Sequence, residues 1–290
     1  MPIPLAAALE DVTTQSRDKA VLVRSPLRYA AQAMLAGAYV GVAVVLLLST
    51  AGPLATATSP ALKLVQGAVF GIALTLVVFA GAELFTGNNM TMLIGWLRGG
   101  VSGADALLVN VASLVGNFVG AIGFAGLVHA SGVLDTAAKG KPPAADTLLR
   151  TLVTNKEHAT DGQLFVRAVL CNMLVCVGLW MATRTRSDAA KLVVLFWVLL
   201  AFISSGFEHS VANMTVFGLA IMNGDASWGD LFHNLLFTVP GNVVGGALIV
   251  GLPYVLGSRP SPVEAMQRTA AEPLAAPSVP ARREAYVARP

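Results

Sequence analysis

The chain has 290 residues, of which 55% are hydrophobic and 12% charged, and its mean hydropathy is +0.69. A soluble domain carries about 25% charged residues, so the composition excludes an ordinary soluble enzyme and places most of the chain in lipid. The formal net charge of +3 comes from flanks and loops, and it gives no reason to expect a nucleic acid as partner.

The first 28 residues are mixed polar and include Arg17, Lys19, Arg24 and Arg28. They read as a cytoplasmic N-terminal segment without a secretory signal, because the apolar stretch that follows is too long for one. A membrane helix needs about 20 mostly apolar residues. Six stretches qualify, near 29–50, 64–82, 106–130, 164–183, from Lys191 to Phe207, and 234–256. Residues 29–257 thus read as a six-span domain. Residues 258–290, rich in Pro, Ala and Arg, read as a disordered cytoplasmic tail. Lys and Arg in the short flanks place both termini inside the cell. The two cysteines, Cys171 and Cys176, lie in one apolar stretch and point different ways on a helix, so no disulfide between them is expected.

Two spans are interrupted. After the second comes Phe85-Thr86-Gly87-Asn88-Asn89-Met90-Thr91, turn chemistry that predicts a break over 85–91. The fifth stops at Ser204-Ser205-Gly206 and resumes over about 210–223. Broken apolar segments at corresponding places in two halves point to a transport site. The halves do correspond: a shift of 125 residues carries Gly81, Glu83 and Asn88 onto Gly206, Glu208 and Asn213. The same shift carries Gly116-Asn117-Phe118-Val119-Gly120 onto Gly241-Asn242-Val243-Val244-Gly245. Each half, about 29–130 and 164–257, holds three spans, an odd number. The second half therefore enters the membrane from the opposite side, and the repeats are inverted.

Non-helical backbone at membrane depth survives only when buried in protein or lining a cavity, which sets both breaks beside a pore. Glu83, Asn88, Glu208 and Asn213 are expected to brace the breaks by bonding the backbone groups freed there. The competing reading makes the carboxylates ion ligands or proton carriers. His209 departs from the symmetry, since its counterpart is Leu84. An ionisable side chain inside a membrane is a functional candidate by default, and histidine titrates near neutral pH. His129, His158 and His233 lie near span ends or in a loop and read as surface residues. The Gly-x-x-x-Gly spacings signal close helix packing. No phosphate loop, nucleophile elbow or metal-ligand spacing occurs, so no cofactor and no metal are expected.

The segments Gly81 through Asn88, Cys171 through Cys176 and Phe207 through Met214 together resemble the formate/nitrite transporter family. The resemblance spans about residues 20–257 and is strongest to its nitrite-channel branch. It implies an all-α, aquaporin-like bundle and a homopentamer with one pore per protomer in the cell's inner or plasma membrane. It further implies that Thr86 bonds His209 or the substrate, and that Asn172 and Lys156 form an outer electropositive region. Phe70, Leu74, Val175 and Phe202 would form the apolar constrictions. On this reading a small monovalent anion, nitrite first, then formate or hydrosulfide, is drawn in, shares a proton at His209, crosses as the neutral acid and releases the proton beyond. Two other classes compete: an intramembrane metalloenzyme using Glu83, Glu208 and His209, and a neutral-solute channel.

Overall fold

A computed structural model describes residues 2–137 and 140–258; all but the first residue of the predicted tail lies outside that range. Among the described residues every regular element is a helix. An N-terminal helix α1 (Leu5–Leu22) precedes α2 (Pro26–Thr56), and then comes a span in two short pieces, α3 (Leu62–Phe70) and α4 (Ile72–Phe79). After a break come α5 (Phe85–Leu97) and α6 (Gly103–Ser131). The second repeat runs α7 (Ala144–Glu157), α8 (Asp161–Thr183), α9 (Asp188–Ser204), a break, α10 (Ser210–Asn223) and α11 (Trp228–Val243). It ends in a π-helical segment, Val244–Gly251, and α12 (Leu252–Gly257). Among the described residues five helical stretches of 18 residues or more are apolar enough to cross a membrane, and the remaining span is divided between α9, of 17 residues, and α10, of 14. The chain is an all-α integral membrane protein built from two inverted three-span repeats.

Small residues set the packing. A Cβ on Gly120 of α6 would lie 1.9 Å from the Met34 carbonyl oxygen of α2, and one on Gly245 would lie 2.2 Å from that of Val169 in α8. Only glycine lets these backbones touch, as the paired Gly-x-x-x-Gly spacings predict.

Residues 5–22 form a packed helix that their mixed polar composition does not suggest. Helix α1 buries Leu9, Val12, Ser16 and Ala20 along one face, and a Cβ on Gly95 of α5 would lie 2.0 Å from the Ser16 hydroxyl. Its start is tied down at Arg184, whose carbonyl accepts the Ile3 N–H at 2.9 Å and whose side-chain Nε donates to the Ile3 carbonyl at 3.0 Å.

Candidate functional site

Each broken span ends the same way. The N–H of Ala82 bonds the Val77 carbonyl at 3.0 Å, and the N–H of Phe207 bonds that of Phe202 at 3.1 Å. Both turns need a left-handed residue, supplied by Gly81 (φ 78°) and Gly206 (φ 73°), which is the Schellman way of ending a helix. The first break therefore lies over 80–84, not 85–91. Gly87, Asn88 and Asn89 favour turns locally, yet they form the first turns of α5 because tertiary partners hold them there.

Those partners are two asparagines. Asn117 of α6 accepts the Phe85 N–H at 2.9 Å and donates to the carbonyls of Ala33 at 2.7 Å and Glu83 at 2.9 Å. Asn242 repeats this in the second half, accepting the Ser210 N–H at 2.9 Å and donating to Ala168 O at 2.8 Å and Glu208 O at 3.1 Å. One amide thus satisfies a freed donor at the helix start and a freed acceptor on the break. Both asparagines stood in the repeated Gly-Asn-x-x-Gly motif, where the glycine spacing drew attention and the asparagine did not.

The bracing expected of Glu83 and Glu208 takes another form. Their carboxylates accept from side chains, not from backbone N–H groups. Glu83 takes Lys19 Nζ at 2.7 Å and Asn88 Nδ2 at 3.2 Å; Glu208 takes Lys156 Nζ and Asn213 Nδ2, each at 2.7 Å. The reason is that Asn117 and Asn242 already serve the backbone, while a buried carboxylate is retained only when paired and hydrogen-bonded. The cations come from α1 and α7, so the two-fold relation extends beyond the spans to a preceding amphipathic helix. Lys19 was legible only as a flanking charge; nothing in its spacing pointed to Glu83.

The two breaks meet at Thr86 and His209, whose Oγ1 and Nε2 are 3.2 Å apart. Thr86 is wholly buried and His209 is 5% exposed. His209 also caps α10: its Nδ1 receives the Ala212 N–H at 3.1 Å. A backbone N–H can only donate, so Nδ1 carries no proton and the ring proton sits on Nε2, aimed at Thr86. Phe202 stacks on the ring, with centroids 5.9 Å apart and planes 18° apart, and Phe70 meets Phe202 edge-on at 5.9 Å. Leu74 and Val175 are buried in the same apolar core.

A cavity opens on either side of this closed centre. One, of about 660 Å³, includes Lys19, Glu83, Leu84, Gly87 and Arg186 in its wall. The other, of about 500 Å³, includes Lys63, Lys156, Arg167, Glu208 and His209, so three cations face one carboxylate. Asn172 is not on that wall with Lys156. Its amide turns inward to the Thr86 and Asn242 carbonyls, at 3.1 and 2.6 Å, because a buried amide goes where acceptors are. His129 bonds Asn223 at 2.9 Å and His233 pairs with Asp161 at 3.2 Å, both on the surface. Cys171 and Cys176 are both free thiols. Among the described residues no three His, Cys, Asp or Glu side chains converge as metal ligands do.

Comparison with known proteins accounts for this architecture. The sequence model described as "Formate/nitrite transporter" matches residues 6–256. "Nitrite transporter NirC" of Escherichia coli is 37% identical over 233 residues, covering 79% of this chain and 83% of that protein. "Probable formate transporter" of Methanothermobacter thermautotrophicus is 39% identical over 233 residues, covering 76% of this chain and 85% of that one. Among solved structures, an "FNT family ion channel" superimposes with a TM-score of 0.80 at 34% identity, over 88% of this chain and all of that one. A "Pentameric formate channel with formate bound" gives 0.65 at 25% identity over 80% of this chain and 97% of that one. Proteins of this family are transporters and channels, not enzymes, and this chain, with its two inverted repeats meeting at Thr86 and His209, belongs to the formate/nitrite transporter family.

Proposed function

We propose that the chain conducts a small monovalent anion, nitrite before formate, through the constriction at Thr86 and His209. The observation that carries this is the buried Thr86–His209 contact, 3.2 Å long with Phe202 stacked on the ring, between two cavities lined by charge. A bare anion crosses such a constriction at high cost. The acid formed when a proton joins the anion crosses at much lower cost, and it releases that proton in the far cavity. The excess of cations around Lys156 draws the anion in. Lys156 Nζ has protons beyond the one given to Glu208, and they supply donors at the cavity wall.

His209 meets the anion with its Nε2–H. To give a proton away the ring must first take a second one at Nδ1, drawn from solvent through the Lys156 cavity that it lines, and that means letting go of the Ala212 N–H. Proton sharing is therefore tied to uncapping α10, and Thr86, which accepts the Nε2–H in the resting site, yields it to the anion. The relatives named for nitrite transport support nitrite, and the probable formate transporter at similar identity keeps formate as the second reading. The likeness to a pentameric channel supports a homopentamer, and a constriction formed within one chain gives each protomer its own pore. Flanking charge supports a multi-pass protein of the inner membrane with both termini cytoplasmic, which puts the Lys156 cavity outside.

The test is uptake into liposomes of nitrite, formate and hydrosulfide, with a pH dye inside, for the wild type beside His209→Asn. Asparagine caps a helix at least as well as histidine, so the variant should fold and assemble. Its substrate uptake should no longer carry the internal pH signal. An unchanged flux with the same pH signal would leave His209 as a packed residue and remove this mechanism.

A further inference from the structure

Behind the constriction the two repeats part company. Helices α2 and α8 correspond with a shift of 135 residues, fixed by Ala33 and Ala168, whose carbonyls take the same bond from Asn117 and Asn242. By that shift Asn172 stands where the first repeat has Gly37. A Cβ on Gly37 would be 2.1 Å from the Asn117 carbonyl oxygen, so α2 and α6 touch there with no side chain between them. In the second repeat a side chain has been inserted. Asn172 reaches past Asn242 to the opposite break and donates to the Thr86 carbonyl at 3.1 Å. One turn on, Cys176 donates its thiol to the same carbonyl at 3.4 Å, and its sulfur lies 3.7 Å from Asn172 Oδ1. Asn172, Cys176 and Thr86 are all fully buried.

The insertion has a visible cost. Helix α6 stays α-helical past Ala121, whereas the equivalent stretch after Val243 is π-helical, over Val244–Gly251. In a plain α-helix the Asn242 carbonyl would bond the N–H of residue 246; a π turn moves each bond on by one residue. Asn172 Nδ2 sits 2.6 Å from that carbonyl, and a side chain entering the ladder is one of the few causes of such an irregularity. Gly246 completes the seat, since a Cβ there would lie 2.6 Å from Asn172 Nδ2 and 2.8 Å from Cys176 Sγ. Irregular helix of this kind is kept where something is gained from it, and what it gains here is two donors on one carbonyl in the first turn of α5.

We infer that Asn172, seconded by Cys176, is a positioning residue: by holding the Thr86 carbonyl it sets the Thr86 hydroxyl opposite His209, and it does so without touching the anion. This rests on the reading of Thr86 and His209 as the conducting constriction. A hydrogen bond of 3.2 Å has little slack, because side-chain contacts beyond about 3.5 Å no longer bind; a small shift of the Thr86 peptide is enough to open it. Two donors from α8 remove that shift.

The experiment is a mutant cycle in liposome nitrite uptake, with oligomer size and an uptake–pH profile recorded for each protein. Asn172→Asp keeps the shape but turns a donor toward two carbonyls into an acceptor. Thr86→Val keeps the shape of Thr86 without its hydroxyl. Each should lower uptake about tenfold, the loss of one such bond, and each should alter the pH profile in the same way. The double variant should be no worse than Thr86→Val alone, because Asn172 acts through Thr86. Cys176→Ala should cost about threefold and Cys176→Ser should restore it, since a hydroxyl donates to the same carbonyl; that pair carries the test if Asn172→Asp does not assemble. Losses that multiply in the Thr86→Val background would overturn the inference and put Asn172 on the anion's path. If Thr86→Val conducts like the wild type, the constriction reading itself fails and the inference falls with it. A loss in Asn172→Asp or Cys176→Ala beside a fully active Thr86→Val would show that both residues act elsewhere.

Discussion

The first and second breaks are built from one plan and finished differently. Both end a helix on a left-handed glycine, both hang their backbone on an asparagine from the third span, and both bury a lysine–glutamate pair. At the next position the first has Leu84, which cannot cap α5, and the second has His209, which caps α10 and faces Thr86. Around the carboxylates the first uses the Tyr29 hydroxyl, 3.4 Å from Asn88 Nδ2, where the second uses Asn234, 2.8 Å from Asn213 Nδ2. What is shared carries the load of breaking a helix in lipid. Of what differs, His209 faces Thr86 and Asn172 holds the Thr86 carbonyl from behind, while the exchange of Tyr29 for Asn234 stays beside the carboxylates with the scaffold. Symmetry thus separates scaffold from function without recourse to conservation.

The largest effect should fall on the shared part. Asn117→Ala and Asn242→Ala each strand the backbone N–H at a helix start and the carbonyl of the glutamate on the break, and take a donor from a helix carbonyl of α2 or α8. Each stranded group costs about 1–3 kcal/mol, so both variants should lose assembly or most of their thermal stability, and to the same degree. Size-exclusion profiles and thermal unfolding in detergent would check this; tolerance of one substitution alone would break the equivalence.

Next come the ion pairs. Removing one partner of a buried pair costs about 3–5 kcal/mol. Lys156→Met should destabilise more than Lys19→Met, because the Lys156–Glu208 pair is the more buried, with side-chain exposures of 14% and 5% against 19% and 9%. Adding Glu208→Gln to Lys156→Met should recover most of the loss, measured by the same unfolding curves. A larger loss at Lys19 would mean that the docked α1 helix contributes more than α7.

A smaller effect separates the two residues at the break. His209→Leu removes the Ala212 cap and should cost about 1 kcal/mol beyond His209→Asn. The same measurement on Leu84→Ala should show no loss of a cap, since Leu84 provides none. The smallest change is expected from Tyr29→Phe, which gives up a 3.0 Å bond to the Val109 carbonyl and a long contact to Glu83. About 1 kcal/mol of stability should go, with nitrite uptake unchanged; a fall in uptake would move Tyr29 from scaffold to pore.

The sequence by itself determined the membrane class, the number of spans, the inverted repeat and the positions of both breaks to within a few residues. Those features are written in local chemistry: charge-free stretches long enough to cross lipid, glycine where a helix must stop, and one offset repeating Gly81 with Gly206 and Asn117 with Asn242. It also singled out His209 by the failure of that offset. What it could not determine were the partners. Glu83 meets Lys19 from 64 residues away, Glu208 meets Lys156 from 52, and Asn172 meets Thr86 from 86. Nothing in a polar residue's neighbours along the chain says which buried group it will satisfy. The Gly87-Asn88-Asn89 turn signal was overruled for the same reason. In lipid every freed backbone group must find a partner inside the protein, and only the folded arrangement of the helices decides which side chain is within reach of it.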